Sequence, residues 1–407
     1  AVDLRSAATR GDISLPEPPF LLRVDDVLDA LQEAARLWTR RWLDGGSDRR
    51  IVGITGSVGK TSTKELVADV LATRFSTLRS EKSYNNEIGL PLAVLKLRDH
   101  QRAVLEMSMY VPGEITLLTR IAPPHVGVVT LIAPVHLERA GTVEAIVDAK
   151  SELVRALPPA PEGVAILNLD DNRVMTMADR TQARVVTYGL NPQADVWADQ
   201  IEGLGLEGVR FWLHYAGQSY AVRLPILGRH SVHTALRAAA VGFVEGLHWE
   251  EVIRGLQTSQ SQLRLLAVKG PHGSIILDDT YNASPPSTIA ALNLLADLAE
   301  GRRIAVLGDM LELGSYEEQG HRDVGIRAAE VADLLVTVGE RARIIAREAR
   351  RFRLPEDRIR MFDAAEAAAT YLLAHIQPGD VILVKGSRAI GMERIVNLLN
   401  SAAQQSG

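Results

Sequence analysis

The stretch IVGITGSVGKTSTKE, residues 51–65, combines residue types that bind phosphate. Its three glycines, spaced three apart, let backbone N–H groups approach phosphate oxygens closely, and a predicted helix follows them. Lys60 would neutralise charge on the β- and γ-phosphates, and the Thr61 hydroxyl would reach Mg²⁺. The usual loop has a glycine five residues before Gly59, where this chain has Ile54. The stretch is therefore either a nucleotide cradle of different length or a tight turn without a ligand.

A lysine within an apolar helical stripe is the second candidate for chemistry. In HLERAGTVEAIVDAKSELVRAL (136–157), Thr142 is a suitable N-cap for a helix ending near Leu157, and Lys150 lies at the centre of the apolar stripe. A buried lysine is costly unless it is paired or modified. Either its stem packs while the amine reaches water, or the amine is functional with a depressed pKa. A neutral amine can react with CO₂ to form a carbamate, which is a carboxylate-like metal ligand.

Polar side chains follow several predicted strands, at the edge where open α/β sheets bind ligands. They are Glu106, His136, Asp278, Asp279, Asp309 and Lys385. Glu106 is a credible oxygen ligand for Mg²⁺. His136 is either an ordinary loop histidine or, together with a modified Lys150, part of a second divalent site.

The composition narrows the class of protein. The 407 residues allow two or three domains, and the absence of cysteine excludes disulfides and thiolate metal sites. The formal net charge of -5 argues against general nucleic-acid binding, and no apolar run is long enough to cross a bilayer. We expect a cytoplasmic protein that binds neither nucleic acid nor membrane, and we expect a monomer.

Short apolar strands alternate with amphipathic helices from Ile51 onward, which predicts parallel sheets with helical crossovers. Residues 185–227 instead favour a small antiparallel section. The alternation restarts near residue 260, which predicts a second doubly wound unit. The predicted domains are 1–47, which contains a linker helix, 48–260 and 261–407.

Several blocks, in order, make the chain similar to the Mur ligase family, and within it to the MurF type. These blocks include GSVGKTS (56–62), SYNNEIGLPLAVL (83–95), EMSMYVPGEI (106–115), DDTYNASP (278–285), VLGDMLELG (306–314) and VKGSRAIGME (384–393). The shorter spacing of the first block is the family's own version of the phosphate loop. The resemblance implies an α/β fold in which a P-loop parallel-sheet central domain with a small antiparallel section precedes a Rossmann-like carboxyl-terminal domain.

The resemblance also implies an ATP-driven amide ligase of peptidoglycan synthesis that joins D-alanyl-D-alanine to UDP-N-acetylmuramoyl-tripeptide. It implies two Mg²⁺ ions, one served by Thr61 and Glu106 and the other by His136 and carbamylated Lys150. The implied catalytic residues are Lys60, His136 and Lys150. The implied nucleotide contacts are Gly56, Ser57, Val58, Gly59, Lys60, Thr61, Ser62, Asn168, Asp171, Arg264 and Asp279. The implied substrate contacts are Asn85, Asn86, Tyr281, Asn282, Lys385, Ser387 and Arg388.

Two departures from the family pattern leave alternatives open. The block GRHSVHTAL (228–236) has Ser231 and Thr234 where the family often shows asparagines, which affects the adenine contacts. Residues 1–43 match only the tail of the family's UDP-binding domain, so we expect a truncated chain. The alternatives are a nucleotide-binding remnant without ligase activity and a sister Mur ligase with a different amine substrate.

Overall fold

The computed structural model describes residues 23–81, 84–134, 137–258, 266–298 and 301–406. Two β-sheets organise these residues, the first within residues 50–224 and the second within residues 266–385. The predicted boundary near residue 260 lies outside the described residues. None of the described helices is both long and apolar enough to cross a membrane.

The first sheet has nine strands among the described residues, in the order β2-β3-β1-β4-β5-β6-β7-β8-β9. Pairing is parallel from β2 through β7 and antiparallel from β7 to β9. The strands are β1 (Arg50–Thr55), β2 (Thr77–Arg79), β3 (Arg102–Glu106), β4 (Val126–Val129), β5 (Val164–Asn168), β6 (Arg184–Gly189), β7 (Val196–Gly203), β8 (Val209–Tyr215) and β9 (Gln218–Leu224).

Helices cover both faces of this sheet. They are α1 (Val27–Asp44), α2 (Lys60–Leu71), α3 (Gly89–Val94), α4 (Glu114–Ile121), α5 (Leu137–Ala140), α6 (Val143–Arg155), α7 (Asn172–Met175), α8 (Ser231–Val244) and α9 (Trp249–Thr258). The α2 helix buries Leu66, Val67, Val70 and Leu71 completely, as its apolar stripe predicts. Because helices cover β1 and β3 on both sides, these strands are almost continuously apolar.

The second sheet has six strands within the described part of the chain, in the order β10-β11-β15-β12-β13-β14. Only the β10–β11 pair is antiparallel. The strands are β10 (Leu266–Lys269), β11 (Ile275–Asp279), β12 (Arg303–Gly308), β13 (Leu334–Val338), β14 (Ile359–Phe362) and β15 (Val381–Lys385). The helices are α10 (Pro285–Leu298), α11 (Glu317–Val331), α12 (Ala342–Arg351), α13 (Ala365–His375) and α14 (Glu393–Ser406).

This mixed α/β architecture agrees with the predicted fold class, and it corrects two details. The predicted strand 126–132 ends at Val129, because the next residues leave the sheet to contact the glycine-rich loop after β1. The antiparallel section begins at β7 and not at residue 185. Strand β6 still pairs in parallel with β5 over five residues, and with β7 through Tyr188 and Gly189.

Candidate active site

A cleft of about 900 Å³ is lined by residues of both sheet-forming regions. On the first side it is bounded by the loop after β1, the end of β3 and the beginning of α8. On the other side it is bounded by the segments that follow β11 and β15. These are carboxyl ends of parallel strands, where α/β sheets bind their ligands. Of the predicted residues at strand ends, Glu106, Asp279 and Lys385 line this cleft together with the loop after β1. Asp278, Asp309 and the helical Lys150 do not line it.

Two glycines give the loop after β1, here called the glycine loop (residues 56–62), its path. Gly56 has φ of 142° and Gly59 has φ of 83°, a region that side chains disfavour. A Cβ atom on Gly56 would lie 1.9 Å from the Oγ1 atom of Thr130. The same Thr130 hydroxyl donates a hydrogen bond of 2.6 Å to the carbonyl of Val58. The glycine loop is thereby held against the segment that follows β4.

Lys60 lies at the start of α2 and folds back over the glycine loop. Its Nζ donates to the carbonyl of Gly56 at 2.9 Å and lies 3.5 Å from the carbonyl of Ser57. The positive end of the helix dipole adds to this charge. An anion bound on the loop would meet both the ammonium group and backbone N–H groups. The loop residues that line the cleft are Ser57, Val58, Gly59, Lys60, Thr61 and Ser62, whereas Gly56 does not line it.

Glu106, at the end of β3, is only 1 % exposed and is held by two side chains. The Thr61 hydroxyl donates to Oε2 at 2.8 Å, and the amide of Asn85 donates to Oε1 at 2.8 Å. Asn86 also lines the cleft, but its side-chain oxygen accepts a 2.8 Å hydrogen bond from the N–H of Gly89 at the start of α3. The structure therefore brings Thr61, Asn85 and Glu106 into one group, with Asn86 beside it.

Lys150 is buried on α6, whose N-cap is Thr142, as the sequence predicts. The side chain is only 2 % exposed, so the alternative in which its amine reaches water is wrong. Burial sets the pKa of Lys150 well below its ordinary value, the charge of Lys60 lowers this pKa further, and Glu106 acts in the opposite direction. Burial and the nearby Lys60 charge therefore both disfavour the charged form of Lys150.

The donor set at this end of the cleft fits a hard cation in part. The Thr61 hydroxyl and the Glu106 carboxylate are adjacent oxygen donors of the kind that Mg²⁺ prefers. In the ranges that the structure describes, His, Asp and Glu side chains do not gather in groups of three or more that could hold a metal alone. A cation bound there would therefore also need oxygens from phosphate groups or water.

The opposite wall of the cleft is built around Lys385, at the end of β15. Lys385 is 2 % exposed, and its Nζ donates to Oδ2 of Asp279 at 2.6 Å and to the carbonyl of Asn282 at 2.8 Å. This pair, in which Lys385 is buried and Asp279 is partly buried, ties β15 to the end of β11. His230, from the start of α8, lies close enough for Asp279 and Lys385 to affect its pKa. The His230 side chain is exposed at the cleft, where crowding by the surrounding walls lowers its pKa and the Asp279 carboxylate opposes this.

Three further predicted substrate residues line the same wall. Ser387 is buried, and its hydroxyl oxygen accepts a 2.9 Å hydrogen bond from the N–H of Leu311. The guanidinium of Arg388 lies 5.6 Å from the ring centre of Tyr281, which is 38 % exposed. Such a pair presents a cation and an aromatic surface to the cavity.

Other predicted residues lie elsewhere. Asn168 lines the cleft, whereas Asp171 does not. Asp171 instead caps α7 by accepting from the N–H of Arg173, and its second oxygen accepts from the N–H of Ile132. His136 and Arg264 lie outside the described residues.

Sequence reasoning missed Thr130, His230 and Arg237, all of which line the cleft. Arg237 was detectable, because it is a charged residue within the apolar helix SVHTALRAAAVGFV. That is the same signal that points to Lys150. Thr130 gave no such signal, since a threonine at the end of a strand is common.

Comparison with known proteins agrees with this arrangement. The Mur ligase middle domain matches residues 54–242, and the Mur ligase glutamate ligase domain matches residues 263–388. The chain belongs to the Mur ligase family. The UDP-N-acetylmuramoyl-tripeptide--D-alanyl-D-alanine ligase of Bacillus subtilis is 34 % identical, over 96 % of this chain and 84 % of the relative.

Solved Mur ligases share the fold. MurF from Acinetobacter baumannii superposes with a TM-score of 0.84 at 32 % identity, over 93 % of this chain and 82 % of that one. MurF ligase from Thermotoga maritima, solved in complex with ADP, gives a TM-score of 0.81 at 26 % identity, over 97 % and 88 % of the two chains. The expectation of an ATP-dependent Mur ligase of the MurF type is confirmed.

Proposed function

We propose that this chain joins D-alanyl-D-alanine to UDP-N-acetylmuramoyl-tripeptide, using ATP, in peptidoglycan precursor synthesis. The observation that carries the proposal is one cleft with cationic side chains on both walls. Lys60 lies on the glycine loop at one side, and Arg388 lies on the other beside Lys385, which is paired with Asp279. The named activity of the relatives supplies the substrates, and the cleft supplies the electrostatics that these anionic substrates require.

The reaction has two bond-forming steps. A carboxylate oxygen of the tripeptide attacks the γ-phosphorus of ATP, and the bond from that phosphorus to the bridging oxygen breaks, which releases ADP and leaves an acyl phosphate. The amine of D-alanyl-D-alanine, after losing a proton, then attacks the acyl carbon. The carbon–oxygen bond to phosphate breaks, so that an amide and inorganic phosphate form.

The first step brings an anionic nucleophile to a polyanion. Lys60 Nζ currently bonds to a loop carbonyl, from which it can turn to a phosphate oxygen within the same loop. The N–H groups of the glycine loop bind the phosphates and orient the γ-phosphorus for in-line attack. Lys385 and Arg388 face the cavity from the other wall and are suited to hold the carboxylate substrates.

Thr61 and Glu106 would hold the first Mg²⁺, and His136 with a carbamate on Lys150 would hold the second. When bound, the ions supply positive charge that offsets repulsion between the phosphates and the carboxylate. Support for the carbamate comes from Lys150 itself. Its amine is buried, its pKa is lowered, and Lys60 and Glu106 are its charged neighbours. A neutral amine is the form that reacts with CO₂.

Phosphate release tests the proposed function. Purified protein with ATP and Mg²⁺ should release phosphate only when UDP-N-acetylmuramoyl-tripeptide and D-alanyl-D-alanine are both present. Equal release with a single amino acid in place of the dipeptide would identify a sister ligase. ADP binding without substrate-dependent release would identify a nucleotide-binding protein that does not ligate.

A further inference from the structure

Arg237 is an uncommon residue for its surroundings. It lies in the middle of α8, is only 4 % exposed, and is followed by three alanines and a valine that are completely buried. An arginine in such a position is costly unless its charge and its N–H groups are satisfied. The position therefore calls for a specific partner.

Neutral groups fix the orientation of the guanidinium. Nε donates to the carbonyl of His233 at 2.9 Å, and Nη2 donates to the hydroxyl of Thr234 at 3.0 Å. The ring of Tyr188 lies 5.8 Å away, centre to guanidinium carbon. Burial lowers the pKa of Arg237, while Tyr188 raises it, and an arginine keeps its charge at neutral pH.

Within the described residues, no carboxylate lies within ion-pair distance of this guanidinium. The groups that affect its charge are the surrounding apolar interior and the Tyr188 hydroxyl. Tyr188 is itself held neutral, because burial raises its pKa. Arg237 is thus a buried cation with no anionic partner in the described part of the chain, and it lines the cleft.

The remaining nitrogen of the fork points to the glycine loop. A Cβ atom built on Gly59 would lie 3.2 Å from Nη1 of Arg237, so the guanidinium is in contact distance of the left-handed turn that starts α2. Thr234 and Asn168 line the same part of the cavity. A positive group at this place faces the site where the glycine loop would seat phosphates.

Sheet order determines which phosphates Arg237 would meet. Glu106 is on β3, which pairs with one edge of β1, whereas α8 packs on α2 and against β5, β6 and β7, on the other side of β1. The glycine loop therefore lies between Glu106 and Arg237. A nucleotide with its γ-phosphate at Thr61 and Glu106 that runs along the glycine loop would bring its remaining phosphates to Arg237.

We propose that Arg237 binds the α- and β-phosphates of the nucleotide and balances the charge that stays on ADP when the γ-phosphoryl group leaves. This inference rests on the proposed ATP-dependent function. The proposal also explains why this buried arginine has no carboxylate partner among the described residues, because the nucleotide would supply the anion. The rigid fork of arginine, fixed by His233 and Thr234, suits two phosphate oxygens better than a lysine does.

Binding of ADP and adenosine to four proteins tests the proposal: the wild type, Arg237→Met, Arg237→Lys and the control Arg254→Met. The control removes an exposed arginine of α9, which does not line the cleft, and so changes the net charge by the same amount as Arg237→Met. We expect ADP to bind about 10- to 100-fold more weakly to Arg237→Met, the loss of one or two charge-assisted hydrogen bonds. Adenosine should bind equally to all four, and Arg237→Lys should recover part of the ADP affinity.

Unchanged ADP affinity in Arg237→Met would overturn the proposal, and so would an equal loss for ADP and adenosine. Thermal unfolding identifies a variant that does not fold. Should Arg237→Met be such a variant, Arg237→Lys decides, since a weakened adenosine affinity there would equally reject a phosphate contact. Failure of the wild type to bind ADP would instead contradict the proposed function, which keeps the two failures distinguishable.

Discussion

Replacing Gly56 with alanine perturbs the glycine loop at its tightest point. The new Cβ would lie 1.9 Å from Oγ1 of Thr130, and also 3.0 Å from its Cβ and 3.1 Å from its backbone nitrogen. Rotation of the threonine hydroxyl alone therefore does not remove the clash. Restoring an ordinary contact of 3.4 Å to the oxygen requires a shift of about 1.5 Å, and misplacements near 1 Å cost about 100-fold in rate.

Stability should fall as well. Backbone strain at a positive φ costs about 1 to 3 kcal/mol, and loss of the Thr130–Val58 hydrogen bond costs about 1 kcal/mol. We therefore expect Gly56→Ala to lower the free energy of unfolding by about 2 to 4 kcal/mol and kcat/KM for ATP by about 100-fold. Urea unfolding and the phosphate-release assay measure the two quantities.

Gly217→Ala is the matched control for Gly56→Ala. Gly217 also has a positive φ, 76°, but a Cβ there meets no atom within 4 Å. The control should lose about 1 kcal/mol of stability and keep its full activity. If Gly56→Ala matches the control in both stability and kcat/KM, the close contact of Gly56 with Thr130 does not position the glycine loop for the phosphates of ATP.

Three further predictions concern single side chains. Lys150→Ala should abolish ligation, added bicarbonate should not restore it, and thermal stability should not fall, because a costly buried amine is removed; full activity would reject the carbamate. Lys385→Met should lower the free energy of unfolding by about 3 kcal/mol by leaving Asp279 unpaired. Adding Asp279→Asn to Lys385→Met should restore stability but not ligation. Unchanged kcat and KM in Lys385→Met would reject a role for Lys385 in binding substrate or in catalysis. His125 has its pKa lowered to about 4 by burial and by two arginines, and its Nδ1 accepts from the N–H of Ile51. Between this pKa and the ordinary value of 6.5 the unfolded chain binds more protons than the folded chain, so stability that is present above pH 6.5 is lost as the pH falls toward 4. In His125→Asn, the free energy of unfolding should fall by about 2 kcal/mol less than in the wild type over this range, as acid unfolding measures. The same dependence of stability on pH in both proteins would contradict this.

Much of the fold follows from local patterns. The apolar stripe of α2 and the strands beside it are predictable, because a parallel sheet with helices on both faces requires nearly continuous apolar strands. The early end of β4 was not predictable, since Thr130 and Leu131 are good strand residues. Their contacts with the glycine loop take them out of the sheet, and such contacts are not encoded in local periodicity.

The candidate site also has residues that the sequence could predict and residues that it could not. Lys60 and Lys150 carry signals that a sequence displays, namely a glycine-rich turn and a charge on an apolar face. Asp171 has the right residue type near the right strand, yet its carboxylate is used to cap α7. Arg237 carries the same signal as Lys150, but the role proposed for it depends on the approach of α8 to the glycine loop, which only the tertiary structure reveals.

Oxygen-isotope transfer tests the central claim most directly. With ¹⁸O in the terminal carboxylate of UDP-N-acetylmuramoyl-tripeptide, ligation to D-alanyl-D-alanine through an acyl phosphate places one ¹⁸O atom in the released phosphate, which mass spectrometry or ³¹P NMR detects. We predict one ¹⁸O per phosphate for each amide formed. Phosphate that carries no ¹⁸O, released while the amide forms, would contradict the account.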